Sequence, residues 1–187
     1  MRNSIGDKLI KCPEQTHYVL HLAPRIELLP LPIQRFDDPF LPFGRAVIEA
    51  TQDIVCGYVL DFAAYMALAA AGARALERTI ALIQREKLRI LHGPFVGKGY
   101  SAMADRTAFD LDAFTVTNSQ DFQFYMNNPP YGAIITGSYL GDEVYYRSSS
   151  DVEQVIKVIG ANIVYRFRGE DFSQQLKQYL IGTYHRD

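Results

Sequence analysis

Tryptophan is absent from this chain, cysteine occurs only at Cys12 and Cys56, and no apolar run approaches the ~18 residues of a membrane-spanning helix. The opening stretch MRNSIGDKLIKCPEQTH has no apolar segment of the kind that directs export. Two cysteines are too few for a disulfide framework or a metal cluster, and Cys56 lies within the apolar run IVCGYVL. A buried thiol in a reducing compartment is therefore expected. Charge of one sign is also missing: 19 Lys and Arg against 21 Asp and Glu leave a formal charge of -2. Such a chain has no field to draw in nucleic acid or an anionic membrane. These absences predict a cytoplasmic protein with neither a nucleic-acid nor a membrane partner.

What is present is a chain with 48% hydrophobic residues, enough for one core, so a single domain is expected over 1–187 with a polar segment at 1–16. HYVLHLA (17–23) reads as a first strand, and five prolines hold 24–42 in an extended loop. FGRAVIEATQD (43–53) places Phe43, Val47 and Ile48 on one side of a helix, and IVCGYVLD (54–61) reads as a buried strand. The alanine-rich 63–87 predicts one helix, or two joined near Gly72, with Leu76, Ile80 and Ile83 as its apolar stripe.

Strand LRILH (88–92), a glycine-rich loop, a short helix near 101–108, strand AFTVT (113–117) and helix DFQFYMNN (121–128) continue the alternation. GAIITGSY (132–139) and DEVYYRS (142–148) read as strands close enough for a hairpin or a bent extension. Ser150 or Asp151 is placed to cap a helix in which Val152, Val155, Ile156 and Ile159 follow the i, i+3, i+4, i+7 spacing. NIVYRFRG (162–169) then reads as the last strand, and 171–184 as a helix with Phe172, Leu176 and Leu180 inward. Alternating strands and helices predict parallel βαβ units.

Three segments in order resemble the orotidine 5'-phosphate decarboxylase family, in particular its longer bacterial subgroup. YVLHLAPRIELLP (18–30) is similar to that family's opening strand, and FGRAVIEATQDIVCGYVLDFAAYMALAAAGARALERTIALI (43–83) to its helix, second strand and second helix. LRILHGPFVGKGYSAMADRTAFDLDAFTVTN (88–118) is similar to the strand that carries Asp-x-Lys-x-x-Asp and to the strand after it. The resemblance implies an α/β fold of the TIM-barrel type. A complete eight-stranded barrel needs about 200 residues or more, so this one is expected to be shortened or incomplete in its second half, or closed in an unusual way. The family's habit of pairing subunits, together with an unclosed sheet edge, implies a homodimer or larger assembly.

Under the same resemblance the first-strand aspartate falls on Ala23 and the second-strand lysine on Val59. The catalytic aspartate, lysine and second aspartate fall on His92, Pro94 and Gly97. The family decarboxylates without a cofactor by protonating a carbanion from lysine, and proline has no such proton, so orotidine 5'-phosphate decarboxylase activity is expected to be absent. The chain then reads as a catalytically degenerate relative that serves as a binding or structural module, with no cofactor or metal. The alternative is an enzyme of altered, lyase-like chemistry on a phosphorylated or carboxylated small molecule.

For that alternative, strand alternation sets His21, Asp61 and His92 on faces that converge at one barrel mouth, where imidazoles and a carboxylate can move protons near neutral pH. The plainer account is that each histidine satisfies hydrogen bonds at a strand end. Lys98, in the loop, is the nearest ammonium. Gly97, Gly99 and Ser101 resemble an anion-binding turn, and Arg168 with Gly169 resembles the family's phosphate-holding segment. Arg166 and Arg168, if in a strand, share a face.

Overall fold

A computed structural model of the chain describes residues 5–12, 17–93, 102–103, 108–127, 132–135, 140–147 and 153–184. Seven strands close a barrel: β1 (His17–Leu22), β2 (Gly57–Asp61), β3 (Leu88–His92), β4 (Ala113–Val116), β5 (Gly132–Ile135), β6 (Glu143–Arg147) and β7 (Glu153–Ile159). Strands β1 to β5 run parallel in order, β6 pairs antiparallel with both β5 and β7, and β7 returns parallel to β1. The architecture is α/β and TIM-barrel-like, and its shortened second half closes through an antiparallel pairing instead of further βα units. Among the described residues every strand has a neighbour on both sides, so the sheet offers no open edge there for self-association.

Helix α1 (Ile5–Ile10) precedes β1, and two 3-10 turns (Ile26–Leu28 and Ile33–Arg35) shape the proline-rich connection to α2 (Phe40–Thr51). Pro42 is accommodated in the first turn of α2, where its missing N–H is not needed. Phe40, Phe43, Val47, Ile48 and Thr51 form the buried face of α2 at helical spacing. The alanine-rich segment divides into α3 (Phe62–Met66) and α4 (Ala69–Leu82). Gly72 accepts the close approach of the chains there, since a Cβ would lie 1.8 Å from the Tyr65 carbonyl oxygen. Helix α5 (Ser119–Asn127) begins at a reciprocal cap: the Asp121 N–H donates to Asn118 Oδ1, and Asn118 Nδ2 donates to Asp121 Oδ2. Short α6 (Ala161–Val164) and α7 (Phe172–Tyr184) complete the chain, with Phe172, Leu176 and Leu180 buried as expected.

Strand alternation separates two apolar clusters. Leu20, Leu22, Tyr58, Leu60, Leu91, Phe114 and Ile159 face outward beneath the helices. Val19, Val59, Ile90, Ala113, Ile156 and Val158 fill the barrel interior, joined from below by Ile5 and Leu9 of α1. Lys8 comes with them, its Nζ donating to Asp112 Oδ2 at 2.7 Å and to the Lys87 carbonyl at 3.0 Å. A barrel interior of this size is a packed core, not a channel.

Three expectations are corrected. Residues 153–159 form β7, not a helix: Ile156 and Val158 pack inward while the flanking positions face out, and four β-branched residues suit that extended pairing. Residues 162–169 contain α6 and a bend, not a last strand, because β7 has already closed the sheet. Arg166 instead stacks over Tyr179, 4.7 Å from the ring centroid. Cys12 and Cys56 form a disulfide with Cα atoms 5.5 Å apart, not a buried thiol, because α1 tucks under the barrel beside the start of β2. With both cysteines paired, no free thiol among the described residues points to a reducing compartment. The helix expected near 101–108 lies outside the described residues apart from 102, 103 and 108. No helix among the described residues is long and apolar enough to cross a membrane.

Candidate functional site

At the carboxyl ends of the first four strands the inward positions change character. Two residues beyond Val19 stands His21, two beyond Val59 Asp61, two beyond Ile90 His92, and two beyond Ala113 Thr115. Asp61 and His92 are register partners, and the Ile90–Ala113 pairing brings Thr115 beside His92. The carboxyl-end rim of a parallel barrel is where ligands are met, so this polar layer is the candidate site.

The sequence-expected trio does come together. His21 Nε2 lies 3.6 Å from Asp61 Oδ2, and the His21 and His92 rings meet edge to face with centroids 5.9 Å apart. Asp61 is anchored through its other oxygen, which accepts the Ala64 N–H at 2.9 Å and so caps α3. Burial alone would raise the Asp61 pKa, but His21, the Ala64 amide and the charge of His92 outweigh it and hold the carboxyl below its usual range. His21 Nε2 is buried and has no hydrogen-bond partner, because the carboxylate sits just beyond reach.

His92 is held by a residue that sequence reasoning passed over. Thr115 Oγ1 accepts the Gly93 N–H at 3.2 Å and lies 2.8 Å from His92 Nδ1. Thr115 is 1% exposed, and its hydroxyl and the His92 ring nitrogen satisfy one another, the donor being set by the His92 tautomer. Burial lowers the His92 pKa, Asp61 opposes the change and His21 adds to it, and the net direction is down. The signal for Thr115 was the same alternation that placed His92, read one strand further along AFTVT.

Beside this layer lies a cavity of about 670 Å3, walled by Ala23, Pro24, Ile26, Asp61, Ala64 and Tyr165 among others. The Tyr165 hydroxyl donates to the Ala23 carbonyl and fixes this wall. Val59 is 1% exposed in the packed interior. Arg168 does not line the cavity: its Nη2 donates to the Glu27 and Leu29 carbonyls at 3.0 and 3.3 Å, tying the segment after α6 to the loop after β1. Gly169 lies in the same bend, its carbonyl accepting the Phe172 N–H. Pro94, Gly97, Lys98, Gly99 and Ser101 lie outside the described residues. Among the described residues no group of three or more His, Cys, Asp or Glu side chains is placed to hold a metal ion.

No family model matches the chain. Over 82 residues it is 39% identical to an orotidine 5'-phosphate decarboxylase of Thermomicrobium roseum, covering 43% of this chain and 29% of that one. Over 100 residues it is 37% identical to an orotidine 5'-phosphate decarboxylase of Herpetosiphon aurantiacus, covering 51% of this chain and 38% of the relative. The matched segments thus span well under half the length of these relatives. The structure of Leishmania donovani OMP decarboxylase superposes with a TM-score of 0.58 at 18% identity, over 71% of this chain and 53% of that one, which shows a common fold. The chain thus matches part of the orotidine 5'-phosphate decarboxylases in sequence and shares their barrel fold, with a shortened second half.

Proposed function

We propose that this protein is a catalytically degenerate relative of the orotidine 5'-phosphate decarboxylases, a barrel that binds a small molecule at its mouth without decarboxylating orotidine 5'-monophosphate. The observation that carries this reading is the chemistry of the strand ends. Where the resemblance puts the first-strand aspartate and second-strand lysine stand Ala23, whose carbonyl is occupied by the Tyr165 hydroxyl, and Val59, sealed in the interior. Neither side chain can take or give a proton, and His92 replaces a carboxylate with a neutral ring. A carbanion formed at this mouth would lack the ammonium and carboxylates that the family's reaction requires.

The cavity supports the binding half of the reading, since small-molecule sites are concave, largely apolar and roughly 300–1,000 Å3. Phosphorylated compounds are the first class to try, on the resemblance of Gly97, Gly99 and Ser101 to an anion-binding turn. Purified protein incubated with orotidine 5'-monophosphate should give no loss of substrate above a blank. A thermal-shift series with nucleotides and sugar phosphates should raise the melting temperature for at least one compound. Turnover of orotidine 5'-monophosphate would overturn the reading.

A further inference from the structure

We propose that the cavity takes a small primary amine with an apolar body, its ammonium held by the carboxylate of Asp61. The cavity is the binding site proposed above, on which this rests, and the charges of its wall name the class of ligand. Asp61, Arg25 and Glu27 are the charged side chains that line it among the described residues. Arg25 Nε and Glu27 Oε1 stand 3.6 Å apart, with side chains 64% and 68% exposed, so this pair offsets its own charges at the solvent edge. Asp61 is left as the net charge of the wall.

The two oxygens of Asp61 are used differently. Oδ1 accepts the Ala64 N–H at 2.9 Å and caps α3, which fixes the carboxylate in place. Oδ2 stands 3.6 Å from His21 Nε2, beyond hydrogen-bond reach, and accepts no hydrogen bond among the described residues. The His21 nitrogen is sealed from solvent, whereas the Asp61 side chain is 22% exposed and lines the cavity. Burial opposes ionisation of Asp61, but His21, the Ala64 amide and the charge of His92 outweigh it, so a ligand meets a carboxylate at neutral pH.

Around this anion the wall is largely apolar, with Ile26, Leu28, Phe40, Ala64 and Leu68 among its side chains. A body that fills such a space strips water from Oδ2, and a carboxylate that loses water without gaining a donor is destabilised. An anionic ligand would add repulsion to that cost. A neutral alcohol supplies a hydrogen bond but no charge. An ammonium supplies both, and charge-assisted hydrogen bonds are roughly twice as strong as neutral ones. The volume of about 670 Å3 has room for a ring or a branched chain beside the ammonium.

The test is a titration of the whole protein with phenethylamine, its isostere phenethyl alcohol and the carboxylate phenylpropanoate, followed through the backbone amide signals of α3 by NMR. The amine is expected to bind about tenfold or more tightly than the alcohol, and the carboxylate more weakly than either. Asp61→Asn, which keeps an oxygen for the α3 cap, should bring the amine to the level of the alcohol. Glu27→Gln should leave the preference for the amine in place. Ala67→Trp, which fills the cavity from α3, should abolish binding of both. A folded protein that binds the amine no better than the alcohol, a preference that survives Asp61→Asn or is lost in Glu27→Gln, or amine binding that survives Ala67→Trp would each overturn the proposal. A phosphorylated compound that raises the melting temperature while the amine does not bind would sink this proposal and leave the binding role standing. Turnover of orotidine 5'-monophosphate would sink the degenerate reading and leave the preference for an amine intact.

Discussion

Asp61 and His92 are register partners at neighbouring strand ends, and acid acts on both in the same direction. Each has a folded-state pKa below its ordinary value, Asp61 through its contacts with His21 and the Ala64 amide against the pull of burial, His92 chiefly through burial. A group whose pKa is depressed by folding contributes stability above its unfolded pKa and loses it as pH falls through the folded one. The His92 contribution should therefore erode below about pH 6.5, and that of Asp61 below about pH 3.9. Urea unfolding measured from pH 7.5 to 3 should show stability falling across both windows. His92→Gln should flatten the upper part and Asp61→Asn the lower. An unchanged profile in both variants would contradict the assignment. At this scale the site was legible wherever strand alternation applied, as it did for His21, Asp61 and His92. Tyr165 was not, because its contact with Ala23 joins residues 142 positions apart and depends on a helix that reads as a strand.

Among the elements, α1 shows how a segment that reads as polar can hold the base of a barrel. Ile5 and Leu9 enter the interior cluster, and Lys8, 5% exposed, meets Asp112, which also accepts the Arg89 N–H at 2.9 Å. Removing one member of a buried pair leaves the other charge without compensation, which costs about 3–5 kcal/mol. Lys8→Met is expected to destabilise the protein by about 3 kcal/mol in urea unfolding. Adding Asp112→Asn should recover part of that loss, because the stranded charge is then gone while the Arg89 amide keeps an acceptor. Additive losses would show that the pair is not coupled. The period of an apolar pattern accounts for the misread element: 152–159 satisfies helical spacing through Val152, Val155, Ile156 and Ile159, and a period of two through Ile156 and Val158. Only pairing to β1 and β6 decides between them. The helices α2, α4 and α7 were legible because a single buried stripe ran their full length.

For the whole molecule, closure is uneven, and that unevenness should govern where the barrel opens. Among the described residues β2 and β3 share five register pairs and β6 and β7 share five, whereas β5 and β6 meet at one, Ile135 with Tyr145. Parallel strands β1 to β4 also bury both faces, one against the interior column and one beneath the helices. Among the described residues, the change from parallel to antiparallel pairing at β5–β6 is thus the seam with the fewest register pairs. Local opening follows such seams, with free energies below that of global unfolding. Hydrogen exchange by mass spectrometry should show the amides of β5 and β6 exchanging faster than those of β2 and β3, under conditions where the protein stays folded. Equal protection across the two regions would mean that the seam is reinforced. The seam lies across the barrel from the pairing of β1 with β2 that carries His21 and Asp61. Opening there would therefore leave the rim contact between those two residues in place, and a small molecule bound at the cavity beside Asp61 should slow exchange around β1 and β2 more than at the seam.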